Sequence, residues 1–274
     1  MLHDYTKVSV GSLATIIMDG ADPTSLVNLL YDPPPMPYDT MYRFAIQQGE
    51  VQNRSGGAEA FVGIGARLHK RRWRFGTWVD ATTTFTDKTA QAQEIAVSDD
   101  VPLETLTNND GFVAAALDVF NIINLYVSTA SVGAPVRVLE YTKADGTWGS
   151  ITNAYVPPPS GAQYTITGSH ENAISFEPPL DWDRAIAAHG TNIPVGYYCI
   201  RVRATTAPGT AGLARSVTMA MALLGVAGLG NTNLLVVAQG SGEHCFSCLA
   251  DGLVMFNPTP AAQCVFRVNV RSMG

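Results

Sequence analysis

Charge is scarce in this chain. Asp, Glu, Lys and Arg make up 15% of its 274 residues, against 46% hydrophobic. The 17 basic and 23 acidic residues leave a net charge of −6, which argues against a polyanion-binding protein as a whole. So small a charged complement predicts that much apolar surface is covered by other subunits rather than by water. The first residues, Met1-Leu-His-Asp-Tyr-Thr-Lys7, lack the basic start and apolar core of a signal peptide. Long hydrophobic runs are missing too: the longest, Val217 to Leu229, is broken by Thr218, Gly225 and Gly228 and is too short to span a bilayer. These absences predict a soluble protein made in the cytoplasm, with no membrane partner. Cysteine is confined to Cys199, Cys245, Cys248 and Cys264. In a chain neither small nor visibly exported, that predicts reduced thiols rather than a disulfide framework, with Cys199 and Cys264 inside strands.

Catalytic signatures are equally thin. His3, His69, His170, His189 and His244 are scattered, and none forms a His-x-x-x-His pair. A Gly-x-Ser-x-Gly elbow, a Walker loop and a His-Glu-x-x-His helix are all absent from the sequence. Gly225-Val-Ala-Gly-Leu-Gly230 has the wrong glycine order for a nucleotide loop and no βαβ repeat around it, so it reads as a turn between β elements. His244, Cys245, Cys248 and Cys264 could close a tetrahedral zinc site. Direct adjacency of His244 and Cys245, and the place of Cys264 in an alternating strand, favour buried thiols instead. Asp99-Asp100 reads as a solvated or capping pair in a loop. Asp181 and Asp183 flank Trp182 and read as a turn rather than an acid–base pair. The sequence therefore predicts no enzyme, no cofactor and no metal.

What the chain does have is β-strand patterning. Trp73, Phe75, Thr77 and Val79 alternate with Arg72, Arg74, Trp78 and Asp80, giving one apolar and one polar face. Ile123, Leu125 and Val127 repeat the period, as do Tyr198, Ile200 and Val202 against Cys199, Arg201 and Arg203. Near the C-terminus, Cys264, Phe266, Val268 and Val270 alternate with Val265, Arg267, Asn269 and Arg271. Helix signals are limited to Asp181–His189, with Asp181 as cap and Gly190 as stop, while Thr218 to Leu224 suits either a strand or a helix. The predicted fold is all-β: an antiparallel, jelly-roll-like β-sandwich over residues 61–208, an extended N-terminal arm over 1–60, and a β-rich C-terminal region over 209–274. Ile123, Leu125, Val127, Phe176, Ile200 and Val202 are expected to face the sandwich interior. Trp148 and Trp182 are expected as aromatic plugs near turns rather than sugar platforms.

Two segments stand out as assembly candidates. Asp32-Pro-Pro-Pro-Met-Pro37 holds its chain extended, and Pro33, Pro34 and Pro35 lack the backbone donors for a regular ladder. Leu26, Val27, Leu29, Leu30, Tyr31 and Met36 would give such an arm something to bury. His69-Lys-Arg-Arg-Trp-Arg74 is the one basic cluster. In an acidic chain it fits a strand whose Arg72 and Arg74 meet an acidic partner or solvent, with no direct nucleic-acid contact.

Several short motifs carry a resemblance. Thr82-Thr-Thr-Phe-Thr-Asp-Lys-Thr-Ala90, Asp99-Asp-Val-Pro-Leu103 and Asp110-Gly-Phe112 are followed by Val127-Ser-Thr-Ala130, Glu140-Tyr141 and Gly146-Thr-Trp148. Pro179-Leu-Asp-Trp182 and Gly196-Tyr-Tyr-Cys-Ile-Arg201 complete the series. In this order, over about residues 80–208, they resemble a recurrent module of tailed-bacteriophage virion structural proteins. The resemblance implies a non-enzymatic virion component, assembled in the host cytoplasm. Its expected role is a capsid decoration or cementing subunit. Its expected partners are further copies of itself, as in a trimer, and the major capsid protein or neighbouring virion proteins. A tail or fibre component that binds a host glycan or protein is the second reading. A glycan hydrolase is the third, because no nucleophile–base pair can be assembled from the motifs.

Overall fold

The computed structural model describes residues 13–18, 44–53, 60–93, 99–133, 135–152, 154–155, 171–224, 235–237, 244–250, 253–256 and 264–272. In chain order the first strands are β1 (Leu13–Met18), β2 (Phe44–Asn53), β3 (Ala60–Arg67), β4 (Trp73–Val79), β5 (Thr84–Asp87) and β6 (Val101–Pro102). Next come β7 (Gly111–Ala116), β8 (Ile122–Thr129), β9 (Val136–Thr142), β10 (Trp148–Ile151), β11 (Ala154–Tyr155) and β12 (Glu171–Phe176). The series ends with β13 (Tyr198–Thr206), β14 (Leu213–Leu224), β15 (Leu235–Val237), β16 (His244–Ala250), β17 (Leu253–Phe256) and β18 (Cys264–Ser272). A short helix, α1 (Thr89–Gln93), interrupts them. The described chain is all-β and mostly antiparallel.

Two compact units divide the chain, one centred on residues 70–219, the other on 1–69 together with the chain from 220 onward. In the second of these, β1, β18, β2 and β16 lie side by side. There β3 pairs with β15, with β17 and with the Ala220–Leu224 end of β14. Residues 1–60 are thus not irregular throughout, because β1 and β2 are both strands. Leu13-Ala-Thr-Ile-Ile-Met18 is rich in branched side chains that suit a pleated surface, and β2 is paired on both sides. The zinc reading meets the backbone here: Cys245 and Cys248 lie on β16 and Cys264 on β18, while their side chains fall outside the described residues. So do Pro33, Pro34 and Pro35, the Pro157–Gly161 excursion and the Gly225–Gly230 turn. The undecided stretch Thr218 to Leu224 is strand.

In the 70–219 unit one sheet runs β10-β9-β13-β7-β4-β5, antiparallel at every step. A second set runs β11-β12-β8-β14, with β6 added to β14. Register sorts the first sheet into two faces. Phe75 pairs with Ala114, which pairs with Ile200, and Thr77 with Phe112 and Val202, so these side chains share one face. Phe75, Phe112, Ala114, Ile200 and Val202 are all buried. From the second set, Ile123, Leu125, Val127, Ile174 and Phe176 are fully buried. All six residues expected in the interior are therefore inside. Trp182 links the two sets, its ring edge-on to Phe176 of β12 at 5.9 Å and to Tyr198 of β13 at 5.5 Å. Phe120 completes that cluster, 5.3 Å from Trp182.

The opposite face of the first sheet is not polar, which corrects the one-sided reading of β4. Trp78, expected beside Arg72 and Arg74, is fully buried, together with Phe85, Val113, Ala115 and Cys199. Ala185 and Ile193 cover them. These residues come from the connection between Trp182 and Tyr198, which lies across the face as a strap. The predicted helix over Asp181–His189 reduces to one 3-10 turn, Ala187–His189. Its backbone groups find tertiary partners instead: Asp183 N–H donates to Thr142 O of β9 at 2.9 Å, and Ala185 N–H to Tyr197 O at 2.7 Å. Gly190 does stop the turn, at φ +155°. A side chain there would strike Trp78 and the Thr83 carbonyl, each 2.7 Å from an added Cβ.

Candidate functional site

Asp110, Glu140, Trp148 and Arg201 meet around this strapped face. Asp110 is buried and acts as a backbone staple: one carboxylate oxygen accepts the Asp80 N–H at 2.9 Å, the other the Thr105 hydroxyl at 2.6 Å. Gly111, next to it, leaves no room for a Cβ against the Val202 carbonyl. Glu140 and Arg201 are cross-strand partners on β9 and β13. Arg201 Nε donates to Glu140 Oε2 at 2.9 Å. Arg203 adds a bidentate pair, Nε to Oε2 at 2.7 Å and Nη2 to Oε1 at 2.8 Å. Asp80 stands 3.9 Å from Arg201 and 4.0 Å from Arg203.

Two indoles clamp the same guanidinium. Arg201 lies over the Trp148 ring at 4.2 Å and the Trp78 ring at 4.8 Å, a cation–π arrangement made stronger by desolvation. Trp148 is half-buried here, and its Nε1–H donates to His189 O at 3.2 Å. His189 closes the strap onto the β9–β10 turn. Ile186 N–H donates to Nδ1 at 3.1 Å, which leaves Nε2–H to donate to Thr147 O at 3.1 Å. Burial opposes ionisation of Glu140, but the Arg203 hydrogen bond and the Arg201 and Arg203 charges outweigh it and hold its carboxyl below the usual range. For Arg203 the Glu140 hydrogen bond leads, and its pKa rises. A carboxylate so fully engaged is a fixed anion, not a proton carrier.

Other charges in the unit also have partners of opposite sign nearby. Glu104 and Arg137 form a buried pair at 2.6 Å, and Glu104 also accepts the Ser131 hydroxyl. Asp100, expected in solvent or at a cap, accepts the Ser128 hydroxyl and lies 3.6 Å from Arg215. Its loop strand β6 pairs with β14, and that brings it against the sheet. Asp181 accepts the Tyr141 hydroxyl at 2.6 Å and faces Lys143 at 3.1 Å, while Asp183 turns to the Arg184 N–H. These two carboxylates have separate partners.

The proposed attachment cations behave differently from each other. Arg72 lies in a 3-10 turn before β4, not on the strand, and makes a bidentate pair with Asp118 at 2.6 and 2.8 Å. Arg74 is on β4 and donates from Nη1 to Trp73 O at 3.1 Å. It lines a pocket of about 430 Å³ between β4, β5 and the strap. Asp87 and Thr86 of β5 and Asn192, Pro194 and Tyr197 of the strap form the other walls. Sequence reasoning missed Asp87, brought near Arg74 by the pairing of β4 with β5, and Asn192 and Tyr197, brought there by the strap. The one local signal was Asn192 just after Gly190-Thr191, a turn-like pair, and its φ is +59°.

Neither a protein-family model nor a curated protein matches the chain. No helix among the described residues is long and apolar enough to cross a membrane.

Proposed function

We propose that this chain is a non-enzymatic structural protein of a tailed-bacteriophage virion, a capsid decoration or cementing subunit that attaches to the major capsid protein. The observation that carries the reading is where the module's motif residues go. Asp110, Glu140, Trp148 and Arg201 are engaged with one another or with backbone and tie sheet, turn and strap together, while Trp182 packs edge-on among Phe120, Phe176 and Tyr198. Their chemistry is that of a durable scaffold. In this reading the two strand sets of the 70–219 unit form a jelly-roll-like β-sandwich, which suits a chain that passes between the sets at β7–β8, β8–β9, β12–β13 and β13–β14. The Pro33-Pro34-Pro35 run serves as an extended arm gripping a neighbouring subunit, at little entropic cost. The protein forms homo-oligomers and needs no cofactor.

Quantitative mass spectrometry of purified particles tests this. Hundreds of copies per particle are expected. A few to dozens would move the protein to the tail, and absence from particles would remove the virion role. Deleting residues 1–40 is expected to abolish incorporation while the 70–219 unit stays folded; full occupancy by the truncated chain would transfer attachment to the sandwich.

A further inference from the structure

We propose that the pocket formed by Arg74, Asp87, Asn192 and Tyr197 is a binding site for a neutral saccharide unit. At about 430 Å³ it has the size of a small-ligand site. Its polar groups are poised rather than engaged. Unlike Arg72, Arg201 and Arg203, the half-buried Arg74 forms no ion pair among the described residues: Nη1 holds Trp73 O, and the guanidinium lies over the Tyr197 ring at 5.9 Å. Asp87 accepts the Thr89 N–H at 2.7 Å through Oδ1, and Oδ2 has no partner among the described residues. A cation and a carboxylate thus line one pocket without bonding to each other.

That combination selects the ligand by charge. A phosphate or carboxylate would be drawn to Arg74 but repelled by Asp87, and a cation would meet the reverse. A hydroxyl suits both, since it can accept from the guanidinium and donate to the carboxylate. The Asn192 carboxamide offers a donor and an acceptor together. The half-buried Tyr197 and Pro194 supply apolar surface for the C–H faces of a sugar ring. The walls are also fixed in advance. Thr191 N–H donates to Thr83 O at 2.8 Å and Phe85 N–H to Thr191 O at 3.0 Å, so the strap is stitched to β5 beside Asn192. Preorganisation of this kind lowers the cost of binding. The inference goes beyond the scaffold role and does not depend on it, since neither capsid nor tail placement alters the pocket.

Saturation-transfer NMR on the full chain, with glucose, galactose, mannose and N-acetylglucosamine as probes and inorganic phosphate as the charged control, tests it. At least one neutral sugar is expected to bind at millimolar concentration. Asp87→Asn keeps an acceptor for Thr89, Arg74→Gln keeps a donor for Trp73, and Asn192→Gly keeps the positive φ. Each is expected to weaken that sugar by about five-fold or more, as loss of one hydrogen-bonding group does, with an unchanged melting temperature. The proposal is overturned if none of the sugars binds, if affinity is unchanged in all variants that melt like the parent, or if phosphate binds more tightly than every sugar.

Discussion

Replacing Glu140 with Gln should expose how much the strapped face depends on one carboxylate. Glu140 is 8% exposed and Arg201 7%, so the substitution leaves a guanidinium desolvated between Trp78 and Trp148 without its anion. Adding up the charged hydrogen bonds one by one would overshoot, because the two arginines share the same oxygens. The better guide is the cost of removing one partner from a buried pair, about 3–5 kcal/mol. Two features place this site at the low end. Asp80 is close enough to both arginines to take over part of the role, and Arg203 is only half-buried and can turn toward water. We therefore expect a loss of about 3 kcal/mol. All four tryptophans, Trp73, Trp78, Trp148 and Trp182, belong to the 70–219 unit, so indole fluorescence in a urea titration reads that unit alone. The midpoint should fall with little change in slope. The pH dependence supplies a second readout. Because the folded Glu140 carboxyl lies below its unfolded value, its contribution is complete above about pH 4.3 and disappears as pH falls through the folded pKa. The parent should lose stability more steeply than Glu140→Gln in that acid window. A loss under about 1 kcal/mol, the size of a surface pair, with identical acid profiles would refute the account of the network.

Gly190→Ala is expected to destabilise the same unit by about 1–3 kcal/mol, because φ is +155° and an added methyl meets both Trp78 and the Thr83 carbonyl; an unchanged urea midpoint would show that the strap is not held there. Cys199 is fully buried, and burial pushes its thiol far up, so alkylation followed by peptide mass spectrometry should find it protected in native buffer and labelled in urea. Native labelling at the rate of a free thiol would mean that the strap opens readily.

The sheet was legible because alternation is a local property. Ile200 and Val202 sit two residues apart, and burying one predicts burial of the other whatever the rest of the chain does. The second face was not legible for the same reason. Alternation assigns Trp78 and Arg201 to the side opposite Phe75 and Ile200, and the usual inference is that this side meets water. Here a connection of irregular backbone covers it, so a tryptophan, a cysteine and a charged network all lie inside. The Asp181–His189 segment had an acceptable cap and stop, yet its carbonyls and amides found partners on Thr142 of β9, Trp148 of β10 and the Gly196-Tyr197 backbone, and those tertiary bonds outweighed a weak helix propensity.

The pocket shows what is lost when a reading stops at local pattern. Arg74 was singled out for its charge within a basic run, but its neighbours in that run do not share its surroundings: Arg72 is matched by Asp118, 46 residues away, and Arg74 shares a pocket with Asp87 of β5 and with Asn192 and Tyr197 of the strap. What distinguishes the two is not residue type or spacing but whether folding brings a carboxylate within bonding distance. For Arg72 it does, and the pair, 28% and 36% exposed, contributes modestly to stability. For Arg74 a carboxylate lines the same pocket without bonding to it, and an unmatched pair of opposite charges lining one cavity is an arrangement that a third, hydroxylated molecule can complete.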